Sequence, residues 1–134
     1  MTVKTEKFQI ETKGNTDILD ITEKVAEKVR NSSLINGMAT VINPGSTAGI
    51  TTIENEGRLL NDFKEILEKI VPTNASYRHP GNAFAHIRSA LVGASFTVPF
   101  RDKRLILGTW QQIVFIDFDN RPRSREIVVQ IVGE

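Results

Sequence analysis

Two histidines lie close together in the sequence, and they are the side chains best suited to chemistry. The chain has 134 residues and contains only His79 and His86, and random placement would bring two histidines this close about one time in ten. Imidazole binds transition metals and moves protons near neutral pH. We therefore expect the two to act together. Two unrelated histidines, either solvated or satisfied in the core, are the alternative.

A divalent metal ion is the ligand that such a pair favours. Two imidazoles supply two of the three or four ligands of a zinc-like ion. Because the chain has no cysteine, a carboxylate or a second chain must supply the rest. Glu54, at the end of a predicted strand, is the first candidate, and Asp62 is a weaker one because it can face solvent on its helix. We predict that His79, His86 and Glu54 are metal ligands and catalytic residues, with zinc favoured over magnesium.

The segment around the histidines predicts a turn followed by a helix. Asn82 can cap a helix over 82–91, and Gly93 lies just beyond its end. His79 precedes a proline and is predicted to be extended. His86 then lies at the edge of a buried stripe, which is predicted to consist of Ala83, Phe84, Ile87, Ala90 and Leu91.

A second candidate site lies where three arginines alternate with other residues around a turn. Arg121, Arg123 and Arg125 follow Asp117 and Asp119. Guanidinium groups this close repel one another unless carboxylates or a bound anion lie among them. Pairing with the two aspartates is the simpler explanation, and bidentate binding of a phosphorylated ligand is the other.

Donors elsewhere in the chain can contribute to the same site. Thr109 and Gln111 come just before a predicted strand and offer hydroxyl and amide groups. Ser46 and Thr47 belong to a turn whose backbone can approach an anion, although it lacks the lysine and the spacing of a nucleotide P-loop. We predict that a small phosphorylated molecule binds to Arg123, Arg125, Thr109, Gln111, Ser46 and Thr47.

Apolar periodicity and turn signals predict the elements that must position these residues. Helices are predicted over 20–30 and 57–70, in addition to the one that carries His86, and the 57–70 helix is predicted to be packed in the core. Strands are predicted over 3–12, 37–42, 48–53, 95–100, 104–107, 111–118 and 125–132. A helical first half before a strand-rich second half predicts an α+β fold in a single domain, residues 1–134.

Composition argues against several classes of function. Seventeen basic and sixteen acidic residues leave a net charge of +1, which is too little for wrapping nucleic acid or lying on an anionic membrane. No apolar run approaches the length of a membrane span, and the amino terminus lacks the apolar core of a signal peptide. We expect a soluble, cytoplasmic protein with no nucleic-acid and no membrane partner.

With these residues considered, the chain closely resembles the YjbQ-like family of small proteins, also called secondary thiamine-phosphate synthases. The resemblance covers nearly the full length and rests on the order and spacing of short pieces together. These pieces are Gly45-Ser46-Thr47-Ala48, Ile53-Glu54, Tyr77-Arg78-His79, Gly81-Asn82 with His86, Gly93-Ala94-Ser95, Val98-Pro99, the run from Leu107 to Ile113 and the run from Asp119 to Arg125.

The resemblance implies a fold, an assembly and an activity. The fold is α+β, with a mixed β-sheet curled into a half-barrel or sandwich and two to three helices, and the assembly is a homotrimer. The activity is a weak ability to join a pyrimidine diphosphate to a thiazole phosphate, giving thiamine phosphate. By position, the resemblance maps His79 and His86 to the family's histidines, Glu54 to its acidic residue, and Arg123 and Arg125 to its terminal arginines.

Two departures from the family pattern bear on the site. Many members carry a histidine immediately before Ser-Thr-Ala, where this chain has Gly45, and many have a longer loop between the Tyr-x-His motif and the helix. A third imidazole ligand is therefore missing here. Two hypotheses follow: a metal-assisted transferase or hydrolase acting on a small phosphorylated substrate, or a non-catalytic oligomeric protein that binds a metal or another ligand.

Overall fold

Eight β-strands and three helices form the fold in a computed structural model that describes residues 1–134. The helices are α1 (Thr22–Asn31), α2 (Gly57–Ile70) and α3 (Ala83–Val92). The strands are β1 (Thr2–Thr12), β2 (Asp17–Asp20), β3 (Gly37–Ile42), β4 (Ala48–Ile53), β5 (Ser95–Arg101), β6 (Arg104–Leu105), β7 (Gln112–Asp117) and β8 (Arg123–Gly133). The predicted α+β class is therefore confirmed.

The strands form two sheets that curl into a half-barrel. The larger sheet has the order β1-β8-β3-β5-β6 and the smaller the order β2-β7-β4. All strand pairs are antiparallel, whereas the family resemblance implied a mixed sheet. The reason is topological, because each helical connection joins strands of different sheets, so no β-α-β crossover makes two neighbours parallel.

Strand β7 lies at the centre of the molecule and is buried on both faces. Side chains alternate along a strand, so Ile113 and Phe115 pack into the larger apolar cluster with α1 and the five-stranded sheet. Val114 and Ile116 pack into the smaller cluster under α2 and α3. By the same alternation Asp117 ends the strand on the face of Phe115, which is the side of β1 and β8.

Helix α2 has the predicted extent but less burial than predicted. It begins at Gly57 and ends at Ile70, and Pro72 follows. Only Leu67 of its apolar stripe is fully buried, while Ile66 and Ile70 are exposed, so the prediction of a fully packed core helix was wrong. None of the three helices combines the length and the apolar composition that crossing a bilayer requires.

Helix α3 turns a different face to the core than the sequence predicted. Arg88 and Ser89 are buried, while Ile87, Ala90 and Leu91 are exposed. The buried pair donates hydrogen bonds to backbone carbonyls of neighbouring segments. These polar contacts fix the rotation of the helix about its axis. The predicted stripe was wrong for its three outer residues because apolar periodicity cannot detect such contacts.

Candidate functional site

His79 and His86 lie side by side at the start of α3. Their ring centroids are 5.0 Å apart and the ring planes meet at 65°, so the rings are not stacked. Neither imidazole takes part in the side-chain hydrogen bonds or salt bridges of the chain. Two groups that can bind a metal or a proton therefore share one location and have no polar partner there.

The spacing of the two rings matches a pair of ligands on one ion. With a zinc–nitrogen distance of about 2 Å and the ring centre roughly 1 Å further on, two imidazoles on a tetrahedral ion have centroids about 5 Å apart. No group of three His, Cys, Asp or Glu side chains is placed to hold a metal within the chain. Within one chain the histidine pair therefore supplies two imidazoles and no third ligand.

Asn82 connects the histidines to the arginine cluster. Its carbonyl accepts hydrogen bonds from the N–H groups of Ala85 and His86 at 3.0 and 3.4 Å. Its side-chain amide donates to Asp119 Oδ1 at 3.2 Å. Asn82 immediately precedes α3, as predicted, but its side chain makes no capping hydrogen bond because Asp119 engages it. The two candidate sites are therefore neighbours.

Arg123 and Arg125 pair with the two aspartates inside the chain. Arg123 donates through Nε and Nη2 to Asp119 Oδ2 at 3.0 and 2.6 Å. Arg125 donates through Nε and Nη2 to the two oxygens of Asp117, both at 2.9 Å. This is the bidentate geometry that guanidinium and carboxylate groups favour. The Nη1 group of each arginine has no hydrogen-bond partner in the chain.

The turn before β4 lies against the same arginines. The Thr47 hydroxyl accepts a hydrogen bond from Arg125 Nη2 at 2.8 Å and donates to Asp119 Oδ2 at 3.4 Å. A Cβ placed on Gly45 would lie 3.5 Å from Arg125 Nη1. Ser46, between them, is exposed. Hydroxyl and guanidinium groups are thus gathered at one surface.

Both aspartates are held in the charged form. Burial raises the pKa of Asp117, but hydrogen bonds from Arg125, from Thr12 and from a backbone N–H outweigh it, and the pKa lies below its ordinary value. Burial likewise opposes a low pKa at Asp119, and hydrogen bonds from a backbone N–H and from Arg123 again lower the pKa. No local pattern pointed to Thr12, which lies 105 residues before Asp117 in the chain.

A strained loop that the sequence analysis missed supports the backbone beside these aspartates. Gly14, Asn15 and Thr16 have φ angles of +79°, +56° and +65°, which is unusual for a β-branched threonine. The N–H groups of Asn15 and Thr16 donate to the carbonyls of Asp119 and Asp117 at 2.7 and 2.8 Å. Such strain persists where the surroundings enforce it. The only sequence signal was the turn dipeptide Gly14-Asn15.

The remaining predicted residues lie at the other end of the β4–β7 pair. Asp117 marks one end of this pair and Gln112 the other, about 17 Å apart at the usual rise per residue. Gln112 Nε2 donates to the Thr109 carbonyl at 3.1 Å. Gln111 precedes β7 and Glu54 follows β4 at this same end.

The structure of one chain does not bring together two of the predicted residue sets. His79, His86 and Glu54 do not form a metal site within one chain. Thr109 and Gln111 do not join the arginines, so the predicted phosphate site is reduced to the arginines and the turn before β4. The sequence could not reveal this, because strand register decides which ends of two strands meet.

The surface cavities of the chain lie away from both sites. The larger, about 330 Å³, is lined by residues that include Met38 and Val132. The other, about 310 Å³, is lined by residues that include Leu19 and Lys24. Neither is lined by His79, His86, Arg123 or Arg125. Small-molecule sites are usually concave, and the histidine surface of one chain carries neither of these cavities.

Comparison with known proteins gives relatives along nearly the whole chain. A family model described as UPF0047 protein YjbQ-like matches residues 6–134. A UPF0047 protein from Methanothermobacter thermautotrophicus is 39% identical over 137 residues, which cover 100% of this chain and 95% of the relative. The UPF0047 protein YugU from Bacillus subtilis is 37% identical over 129 residues, which cover 94% of this chain and 97% of the relative.

Solved structures share the same architecture. A protein of unknown function from Sulfolobus solfataricus has a TM-score of 0.91 at 30% identity, covering 99% of this chain and 100% of that chain. A hypothetical protein from Aeropyrum pernix has a TM-score of 0.92 at 32% identity, covering 98% of this chain and 99% of that chain. The likeness therefore includes the elements that carry the histidines and the arginines.

Proposed function

The chain belongs to the UPF0047 family of YjbQ-like proteins, and we propose that it binds a zinc-like divalent ion through His79 and His86 beside a small phosphorylated molecule. The observation that carries this proposal is the pair of imidazole rings 5.0 Å apart, with no polar partner in the chain. Imidazole ligands favour zinc-like ions over magnesium.

The arginine cluster supports the second part of the proposal. Arg123 and Arg125 pair with Asp119 and Asp117, and Arg121 adds a positive charge in the turn just before β8. The Nη1 groups of Arg123 and Arg125 have no hydrogen-bond partner in the chain. Charged donors of this kind bind phosphate oxygens. Asn82 joins this cluster to the start of α3, so a phosphate bound there would lie next to the histidines. One of its oxygens could then be a ligand of the ion that the histidines hold.

If the protein is an enzyme, the reaction that this site would catalyse is a group transfer. In the reaction that the resemblance implies, the thiazole nitrogen bonds to the methylene carbon of the pyrimidine diphosphate, whose C–O bond breaks to release pyrophosphate. Arg123 and Arg125 would bind the departing pyrophosphate and neutralise the charge that develops on it. A bound ion would add Lewis-acid polarisation of the phosphate. The alternative is a non-catalytic protein that binds the same ligands without turnover.

Elemental analysis of the purified protein tests the metal site. Wild type is expected to hold a divalent ion, with zinc in excess of magnesium, and His79→Ala and His86→Ala should each lose most of it. Arg78→Ala is the matched control, since it alters the same exposed loop without removing an imidazole. Equal, near-zero metal in wild type and in both histidine variants would contradict the proposal.

Calorimetric titration with pyrophosphate tests the phosphate site. Arg123→Ala should weaken binding about tenfold, the usual loss for a hydrogen bond to a charged group. Arg104→Ala, an exposed arginine on the β5–β6 hairpin, should leave it unchanged. If Arg123→Ala leaves the affinity for pyrophosphate unchanged, the ligand binds elsewhere. An assay of thiamine-phosphate formation then distinguishes the enzyme from the non-catalytic binding protein. Turnover by wild type that is lost in Arg123→Ala indicates an enzyme. Pyrophosphate binding without turnover indicates a binding protein.

A further inference from the structure

The turn before β4 contains a notch at Gly45, where the chain has no side chain. A Cβ placed on Gly45 would lie 3.3 Å from Asn43 Oδ1 and 3.5 Å from Arg125 Nη1, and no atom from outside the adjoining residues lies closer. Gly45 itself is exposed. We call the space between Asn43, Gly45 and Arg125 the Gly45 notch. It is lined by one hydrogen-bond acceptor and one charged donor.

The backbone at this position does not need glycine. Gly14, Gly81 and Gly93 have positive φ angles and Gly45 does not, so a residue with a side chain could adopt the same conformation. A methyl group there would lie only slightly closer to Asn43 than an ordinary contact. What glycine provides at position 45 is therefore space beside the two polar groups.

Asn43 holds its acceptor toward the notch. The residue is only 2% exposed, and its Nδ2 donates to the carbonyls of Gly45 and Ala48, both at 3.2 Å. Because carbonyl oxygens only accept hydrogen bonds, these contacts determine which end of the amide faces the turn. Oδ1 is left to face the notch and accepts no hydrogen bond from the chain.

Arg125 holds its donor beside that acceptor. Its Nε and Nη2 donate to Asp117 and Thr47, and Nη1 has no partner. No fully buried side-chain nitrogen or oxygen of the chain lacks a hydrogen-bond partner, so Arg125 Nη1 and Asn43 Oδ1 both reach the surface. A ligand therefore meets a donor and an acceptor whose positions the fold has already fixed, which lowers the entropic cost of binding.

We propose that the Gly45 notch selects, among small phosphorylated molecules, those that carry a hydroxyl or amino group close to the phosphate. Arg125 Nη1 donates to a phosphate oxygen, and the hydroxyl or amino group donates to Asn43 Oδ1. Both polar atoms lie within 3.5 Å of one point, so the two ligand groups must be a few bonds apart. The inference rests on the proposed phosphate site and narrows the class of its ligand.

A ligand without such a donor would bind at a disadvantage. Its phosphate would exclude water from Asn43 Oδ1 and leave that acceptor unpaired, which weakens binding by about fivefold or more. A phosphate oxygen cannot replace the donor, because two acceptors in contact repel each other. Sites that hydrogen-bond a hydroxyl reject the analogue that lacks it for the same reason.

Calorimetric titration of wild type with two phosphate esters tests the selection. Glycerol 3-phosphate carries two hydroxyl groups, whereas propyl phosphate has the same chain length and charge and carries none. Wild type should bind glycerol 3-phosphate about five- to tenfold more tightly, the effect of one hydrogen bond that is made or left unmade. Equal affinities would overturn the inference. This comparison needs no variant, so it does not depend on how a substitution folds.

Gly45→Ala closes the notch with a single methyl group. The variant should bind glycerol 3-phosphate about fivefold or more weakly than wild type, and its preference over propyl phosphate should fall below about twofold. Gly57→Ala is the matched control, because a Cβ on Gly57 meets no atom within 4 Å, and it should keep the wild-type preference. A Gly45→Ala variant that keeps both the wild-type melting temperature and the wild-type preference would overturn the inference.

Titration with pyrophosphate separates this inference from the proposed function. If pyrophosphate binds through Arg123 but wild type does not distinguish the two esters, the notch has no role and the phosphate site stands. If wild type binds neither ester nor pyrophosphate, the phosphate site and the inference both fail. A preference that is present in wild type and in Gly57→Ala and lost in Gly45→Ala is the result expected here.

Discussion

The side-chain amide of Asn82 donates to Asp119 at 3.2 Å, and this contact fixes the start of α3 to the carboxylate that holds Arg123. Truncating the amide leaves Asp119 with one donor fewer in a partly buried place. Asn82→Ala should therefore lower the free energy of unfolding by about 1–2 kcal/mol, measured by urea denaturation. Asn74→Ala, at an exposed loop position, is the control, and an equal effect of both variants would show that the contact contributes nothing.

The ion pair between Asp117 and Arg125 should make the protein sensitive to acid. The folded-state pKa of Asp117 lies below its ordinary value of 3.8, so the stabilisation is present above about pH 4 and is lost as the pH falls through the folded-state pKa. Asp117→Asn removes this dependence. It also leaves the Arg125 side chain, only 13% exposed, with only the more distant Asp119 carboxylate at 3.9 Å, which should cost about 3 kcal/mol at pH 7.

Urea denaturation at pH 7, 4 and 3 measures both effects of the Asp117 change. The decline in stability between pH 4 and pH 3 should be shallower in Asp117→Asn than in wild type. Asp62→Asn, on the exposed side of α2, should change stability by less than about 0.5 kcal/mol. Identical acid slopes in wild type and Asp117→Asn would argue against the ion pair.

Substituting the two partners of the Arg88–Glu68 salt bridge should lower the stability of the protein by different amounts. The Arg88 side chain is 3% exposed and that of Glu68 is 50% exposed, and Arg88 also donates to the Val71 carbonyl and to Thr16 Oγ1. Arg88→Met should therefore destabilise the protein by about 3 kcal/mol. Glu68→Gln should cost less than about 1 kcal/mol. Thermal melts compare the two, and equal losses would contradict this account of α3.

The hairpin between β5 and β6 offers a stabilising substitution. Asp102 and Lys103 have φ angles of +52° and +65°, the signs of a type I′ turn, in which Asp-Gly is preferred. Lys103→Gly should raise the free energy of unfolding by roughly 0.5–1 kcal/mol, because glycine adopts a positive φ without a steric penalty. Lys64→Gly, inside α2, should lower it by about 1 kcal/mol. A Lys103→Gly variant that melts below wild type would show that the turn is not strained.

The sequence predicted those elements whose signals are local. The limits of α2 follow from apolar residues at intervals of three and four and from Pro72 beyond its end. Strand β3 was predicted from a buried run between two turn signals and has the predicted limits. Strand β2 was missed because four residues are too few to show an alternating pattern.

The candidate site was predicted only where its residues are close in sequence. The neighbourhood of His79 and His86 follows from a short turn and one helix. The separation of Glu54 from them depends on the register of β4 against β7, and the outward rotation of Ile87 depends on the hydrogen bonds of Arg88 and Ser89. These are long-range polar interactions, and apolar periodicity carries no information about them.

Strand β8 lies in the middle of the larger sheet, between β1 and β3, although it is the final strand in chain order. It pairs Gly133 with Thr2, so β1 can join the sheet only after residues 123–133 have been synthesised. Until then β1 and β3 have open edges, which are sites for pairing with other chains. A chain truncated before Arg123 would keep these edges unpaired and should therefore be prone to aggregation.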